Sequence, residues 1–390
     1  MRFYLITGFL ILVAASYLDN VRGPLLPLIT EELKIPYGMT GLFLTCGNFA
    51  AAFSIIMMNP IIKKFGEKNT VIFLCVLGAV GSSFSHLVVG YKTLLFFSIL
   101  LGSGIASLGT MANVVVIKGT SDRERGRCLS ALHVTYGVAS FLAPYIVSYL
   151  VVHGVKWPFV FSGCLLWFAV VLVFIFKGKD TKTTGRQDLE DFSSCHNDDI
   201  GHLAKILLFV IFSLYVGGEV LTSMWLATYL VEFRNVPIDR ASLYVAGFFI
   251  CLAASRFLSF IAVKPKYEMT VIWAALTVSL FAMLLGHMGY FEAFMFVGLL
   301  GPFFPLFLAR VSRFFGREWR RLTIGLIACF QLFLGVLHYL VGVTIDRFGV
   351  ETAFYIPMAA LSLSILLLIL FMRQSQKVCI KTFAVDDGND

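Results

Sequence analysis

Residues 123–159 read RERGRCLSALHVTYGVASFLAPYIVSYLVVHGVKWPF, and residues 317–354 read REWRRLTIGLIACFQLFLGVLHYLVGVTIDRFGVETAF. Each stretch leaves a basic loop, runs through a long apolar helix that contains glycine, turns at a Gly-Val corner and enters another apolar run. Arg123 and Arg317 lie 194 residues apart, and the offset becomes 195 after one insertion. Weakly complex apolar sequence can repeat by chance, but basic loop, corner and aromatic residues match together. The chain therefore reads as a duplicated bundle, and the rest of it can be apportioned between two copies.

The apolar runs are roughly 20–28 residues long, enough for helices that cross a hydrocarbon core of about 30 Å. Twelve spans are expected, roughly 3–30, 37–62, 69–90, 93–117, 128–152, 157–177, 204–231, 240–262, 268–287, 290–312, 323–345 and 352–372. Composition agrees: 58% of residues are hydrophobic and 14% charged, against about 25% charged in soluble proteins. The first span contains charges and no small-x-small site follows it, so it reads as a retained helix rather than a signal peptide.

The longest polar stretch, from Gly178 to His202, separates the two copies. The expected fold is an all-α membrane protein of two pseudo-symmetric six-helix halves, 1–177 and 204–373, with a central loop at 178–203 and a tail at 374–390. The net charge of +8 could point to nucleic acid, but 23 of the 31 Lys and Arg lie on one side of the helical alternation and six on the other. By the positive-inside rule both termini are cytoplasmic, and the excess charge is topology information, so no nucleic-acid partner is expected.

Eight cysteines are scattered singly, without a disulfide or zinc spacing. Cys195 and His196, with His202 nearby, read as part of a solvated loop rather than a metal site. No Walker, Rossmann or zinc-hydrolase pattern occurs, so neither a cofactor nor an enzymatic activity is expected. Gly102, Gly104, Gly109 and Gly137 let helices approach closely. Pro144, Pro302 and Pro305 interrupt spans and free backbone carbonyls.

Within the first span, Asp19 and Arg22 stand at i, i+3 and share a helix face. Each charge costs at least about 2.5–3.5 kcal/mol at the centre of a membrane helix, so such groups normally face a polar interior or a water-filled path. A carboxylate that alternates between a buried setting and an arginine's company can take up and release a proton. Arg22 offers a planar fork suited to a carboxylate or phosphate. A bound anion would compete with Asp19 for Arg22, and protonation of Asp19 would release the arginine to it. The alternative is a permanent structural salt bridge, which would cost desolvation for little net stability.

Glu219 lies near the middle of span 7, the repeat counterpart of span 1, and is expected to be protonated, paired or water-exposed. Trp225, six residues on, can stack on a ring or cap a polar solute, or simply pack. His133 is early in span 5 and titrates in a range that suits proton handling. Gln331 and His338, seven apart on span 11, share a face and could line the second half of a cavity. Asn48 and Asn113 are buried amides that need partners. Tyr136 and Tyr17 are weaker candidates on the same grounds. Arg256 is taken to snorkel from the cytoplasmic end of span 8. The loop groups Arg123, Arg125, Arg127 and Arg317, Arg320, Arg321, with Asp122, Glu124 and Glu318, are expected to serve orientation and cytoplasmic closure, and Arg310 reads as another loop charge.

The chain resembles a major facilitator transporter and, within that superfamily, the fucose:proton symporter-like group. DNVRGPLLP (19–27) is similar to that group's first-helix pattern, an aspartate, a glycine four later and a proline four beyond. NVVVIKGTSDRERGRCLSALH (113–133) is similar to its fourth-to-fifth helix signature, and YVGGEVLTSMWLATYLVE (215–232) to the start of its second half. The resemblance implies a proton-coupled transporter whose matching positions are Asp19, Asn113, His133, Glu219 and Trp225. Three features depart from the pattern. NPIIKKFGEK puts Asn59 and Lys63 where the superfamily usually holds a glycine and an aspartate, Arg22 stands where an uncharged residue is expected, and His338 where the group tends to have proline.

The expectation is then proton-coupled uptake of a small polar or anionic organic solute by alternating access, in a monomer embedded in a bacterial inner (plasma) membrane. Proton coupling is assigned to Asp19, Glu219 and His133. Solute contact is assigned to Arg22, Asn48, Asn113, Tyr136, Trp225, Gln331 and His338. The rival within the class is a proton-driven exporter of a drug, metabolite or carboxylate siderophore. A rival from another class is a membrane sensor or lipid-handling protein on the same fold.

Overall fold

The computed structural model describes residues 2–120, 122–177, 202–315 and 319–375. Most of the central loop, with Cys195 and His196, and the tail from 376 lie outside the described residues. So do the side chains of Asn59 and of the loop groups at 122–127 and 317–321.

Among the described residues every regular element is helical. Eleven helices are long and apolar enough to cross a bilayer. Spans 2–6 are Tyr37–Met58, Pro60–Leu87, Tyr91–Val116, Ala131–Val152 and Trp157–Phe176. Spans 7–12 are Ala204–Arg234, Ile238–Ala262, Glu268–His287, Phe291–Val311, Gly325–Ala353 and Tyr355–Arg373. Span 1 is a broken helix, Leu5–Asn20 followed by Arg22–Leu33, bent by 41°. Pro24 explains the break: it has no N–H for the Asn20 carbonyl and its ring crowds that oxygen. Asp19 and Arg22 therefore sit on opposite sides of a bend rather than on one straight face.

The duplicated Gly-Val corners take the same shape. Gly154 (φ 72°) and Gly349 (φ 85°) both turn the chain in the left-handed region, which glycine enters at no steric cost. Packing repeats too. A Cβ on Gly102 would collide with the Gly47 carbonyl, locking spans 2 and 4. A Cβ on Gly298 would do the same to the Phe248 carbonyl, locking spans 8 and 10. Gly109 differs from this expectation, because nothing stands within 4 Å of its added Cβ.

The two halves meet along span pairs 1–7, 2–11 and 5–8. Gly23 faces the Ser223 and Met224 carbonyls, and Gly137 faces Ala253. Thr45 Oγ1 donates to the Gly335 carbonyl at 2.7 Å. At the loop end, Asp346 of the second half accepts the backbone N–H groups of Tyr37 (2.8 Å) and Gly38 (2.7 Å) at the start of span 2. The halves thus close on the face opposite the chain ends and leave a cavity between them.

Candidate functional site

The cavity has a volume of about 310 Å³ and is walled by both halves. Its closed end carries Arg22, Met224 and His338, and it runs past Asn113, Ile55 and Ile327 toward the face of the chain ends.

On the first-half wall, the bend in span 1 lets Arg22 fold back onto Asp19. Its Nη2 is paired with Asp19 Oδ1, and its Nε donates to the Asp19 backbone carbonyl at 3.1 Å. The second carboxylate oxygen accepts the Tyr136 hydroxyl from span 5 at 3.2 Å. The Arg22 side chain is 10% exposed and that of Asp19 27%. This is an ion pair on a cavity wall, with Asp19 the more accessible partner.

The second-half wall repeats the arrangement with different residues. Arg256 Nη2 donates to Glu219 Oε1 at 3.1 Å, and the Tyr215 hydroxyl donates to Glu219 Oε2. Arg256 Nε donates to the Gly301 carbonyl at 3.1 Å. That carbonyl is free because Pro305, four residues on, brings no N–H to it. The guanidinium also lies over the Phe304 ring, 5.9 Å from its centroid. Arg256 therefore does not snorkel, which corrects the expectation from sequence. It is six residues inside the end of its span, or about 9 Å at 1.5 Å per residue, too deep for the interface. Arg310 is corrected as well: it is buried within span 10 and paired with Glu268 at 3.5 Å.

The other expected residues separate into three groups. His133, Asn48, Asn113, Gln331 and His338 line the cavity, together with Tyr136. His133 is exposed along the wall rather than packed in a core. The two asparagines spend one N–H each on carbonyls of their own helices, Leu44 and Gly109, at 2.9 Å. Trp225 lies behind the wall, 1% exposed, with its indole N–H on His338 Nδ1, so it offers the cavity no stacking face. Tyr17 faces away, its hydroxyl on the Val160 carbonyl at 2.9 Å.

Sequence reasoning missed Arg256 and Tyr215. One signal was available for the tyrosine: Tyr215 and Glu219 are i, i+4 and share a helix face. A second hollow of about 380 Å³, between spans 5, 8 and 10, shares His133, Arg256 and Phe304 with the first and is otherwise mostly apolar. Among the described residues no cluster of three or more metal-ligating side chains occurs.

Comparison with known proteins agrees with this architecture. The family model of the Major Facilitator Superfamily matches residues 8–337. A yeast protein, Bypass of stop codon protein 6 of Saccharomyces cerevisiae, is 25% identical over 338 residues, covering 74% of this chain and 65% of the relative. Protein TsgA of Escherichia coli O9:H4 is 21% identical over 250 residues, covering 63% and 60%. The chain thus spans under two thirds of the length of these relatives. Among solved structures, the xylose transporter XylE from E. coli in an inward-open conformation aligns with a TM-score of 0.77 at 12% identity, covering 94% of this chain and 95% of that one. The transporter FucP in its outward conformation aligns at 0.61 with 16% identity, covering 96% and 98%. Likeness at such identities shows the fold and does not single out the fucose:proton symporter-like group. With the family match over most of its length, and with eleven apolar helices and a broken first span among the described residues, the chain belongs to the Major Facilitator Superfamily and is an integral, multi-pass membrane protein.

Proposed function

We propose that this protein is a transporter that carries a small anionic organic solute together with protons, by alternating access between its two halves, from outside into the cytoplasm. The observation that supports it most is the Arg22–Asp19 pair on the cavity wall. Arg22 is the cationic fork that an anion would use, and Asp19 is the group that must give it up. Protonating Asp19 removes its claim on Arg22. An anion then takes the guanidinium, and release of the proton on the other side restores the pair and expels the solute. Glu219 is a second carboxylate of the same kind, and His133 a further proton carrier on the wall.

The cavity stands at the small end of ligand pockets, about 300–1,000 Å³, which favours a metabolite-sized solute over a drug or siderophore. The xylose transporter among the structural neighbours also takes a small polar solute. The basic residues grouped on the side of the chain ends support a cytoplasmic position for both termini in a plasma membrane, the inner membrane in a bacterium. The conformation described is then closed outside and open inside.

The apolar hollow between spans 5, 8 and 10 favours a second reading, in which a lipid enters between helices. The two readings separate on the ion pairs, because a lipid carrier would tolerate their loss. The decisive experiment is uptake into proteoliposomes under an imposed pH gradient, with pooled organic acids against pooled sugars. Acid accumulation toward the alkaline side, abolished in Arg22→Gln, is the expected result. Equal activity of Arg22→Gln, or no accumulation of either pool in either gradient direction, would overturn the proposal.

A further inference from the structure

The two walls of the cavity hold the same constellation built from unrelated positions. In each, an arginine gives Nη2 to a carboxylate and Nε to a backbone carbonyl, and a tyrosine hydroxyl binds the second carboxylate oxygen. In the first half these are Arg22, Asp19 and Tyr136; in the second, Arg256, Glu219 and Tyr215. The arginine and carboxylate of each set line one cavity. Both guanidiniums use the same edge on their own half and keep Nη1 uncommitted to a carboxylate.

The two sets also feel each other. Tyr136, which binds Asp19, lies within electrostatic reach of Glu219 and Arg256. The charged and titratable groups that face Asp19 are Arg22 and Tyr136, with His338 near Arg22. Those that face Glu219 are Tyr215, Arg256 and Tyr136, with His133 near Arg256. Each carboxylate thus has one arginine as its direct ionic partner.

We infer that the cargo is a dianion, an organic acid with two separated anionic groups, gripped by Arg22 at one end and Arg256 at the other and carried with two protons. This rests on the proton-coupled, anionic reading given above. Charge counting supports the stoichiometry. With Asp19 and Glu219 ionised, each set is neutral and the empty cavity has no net charge. With both carboxylates protonated, the two arginines contribute +2, which a dianion cancels. The loaded and empty carriers then carry equal charge, so transport is electroneutral. A monoanion carried with one proton would use only one of the two pairs and leave the other idle. Binding through one arginine in each half also gives the solute a direct grip on both moving bodies, which is what drives closure around it.

The test uses the full-length protein in proteoliposomes, with radiolabelled succinate and glutarate as dianions and lactate as the monoanion. An inside-alkaline pH gradient should drive dicarboxylate uptake, and a potassium diffusion potential of either sign should leave it unchanged. In Arg256→Gln the ratio of dicarboxylate to lactate uptake should fall at least about tenfold. Glu219→Gln removes one proton from the cycle, so dicarboxylate uptake should become electrogenic and be slowed by an inside-negative potential. A merely structural role for Glu219 would not produce that sensitivity. Lactate carried as well as the dicarboxylates, or a Glu219→Gln protein indifferent to potential, would overturn the dianion assignment and leave the anionic reading standing. No uptake of any of the three acids would overturn both.

Discussion

The indole N–H of Trp225 donates to Nδ1 of His338 across 3.0 Å, and both residues are 1% exposed. An indole can only donate, so Nδ1 is the acceptor and the imidazole carries its proton on Nε2. The bond joins span 7 to span 11 at the closed end of the cavity, where the Tyr37 ring of the other half stands 6.5 Å from the tryptophan ring. A buried polar contact fixed in one tautomer thus supports the wall that both halves press against.

Trp225→Phe keeps a ring in place and removes the donor. The buried His338 nitrogen loses its partner, a cost of about 1–3 kcal/mol. Thermal unfolding of the detergent-purified protein should fall by several degrees. A melting temperature equal to wild type would show that the bond contributes nothing.

Asp19→Asn imitates the protonated acid permanently. Exchange of labelled for unlabelled solute across the membrane should survive, because Arg22 remains free to bind. Accumulation driven by a pH gradient should fall, because only the proton on Glu219 remains in the cycle. Arg22→Lys should be impaired in both assays, since a point charge does not replace a planar fork. If Asp19→Asn accumulates solute as steeply as the wild type, Asp19 is not a coupling group.

At the closed face, Asp346 accepts two backbone N–H groups at the start of span 2. A carboxylate on an exposed helix N-terminus contributes about 0.3–1 kcal/mol. Asp346→Asn should therefore raise the population open at this face about two- to fivefold. Spin-label distances between the loop ends of spans 2 and 11 would register the shift as a growing long-distance component. An unchanged distribution would remove Asp346 from the gate.

Two neighbouring glycines should respond oppositely to the same change. Gly102→Ala places a methyl against the Gly47 carbonyl, whereas Gly109→Ala meets nothing within 4 Å. The first should cost about 1–3 kcal/mol through overpacking and lower the yield of folded protein. The second should fold normally. Size-exclusion profiles of the two variants provide the comparison.

The fold was legible because its signals are local. Span lengths, the Lys and Arg asymmetry and the repeat at Arg123 and Arg317 can all be read along the chain. The bend in span 1 was not read, although Pro24, whose missing donor is visible in the sequence, marks it. Half of the site was legible for the same reason: Asp19 and Arg22 are three residues apart. The other half was not. Glu219 and Arg256 are brought together by the packing of spans 7 and 8, and the Gly301 carbonyl that holds Arg256 comes from span 10. Trp225 misled because a helix buried on all sides has no apolar face to show which way a side chain points.

The measurement that tests the central claim most directly is proton movement that accompanies solute entry. Sealed proteoliposomes loaded with a pH-sensitive dye receive an organic dicarboxylate from outside, with no pre-set gradient. Wild-type protein should acidify the lumen as solute enters, and Asp19→Asn should lower the acidification per solute taken up, because only the Glu219 proton still accompanies it. Solute entry without acidification in the wild type, or equal acidification by Asp19→Asn, would contradict the account.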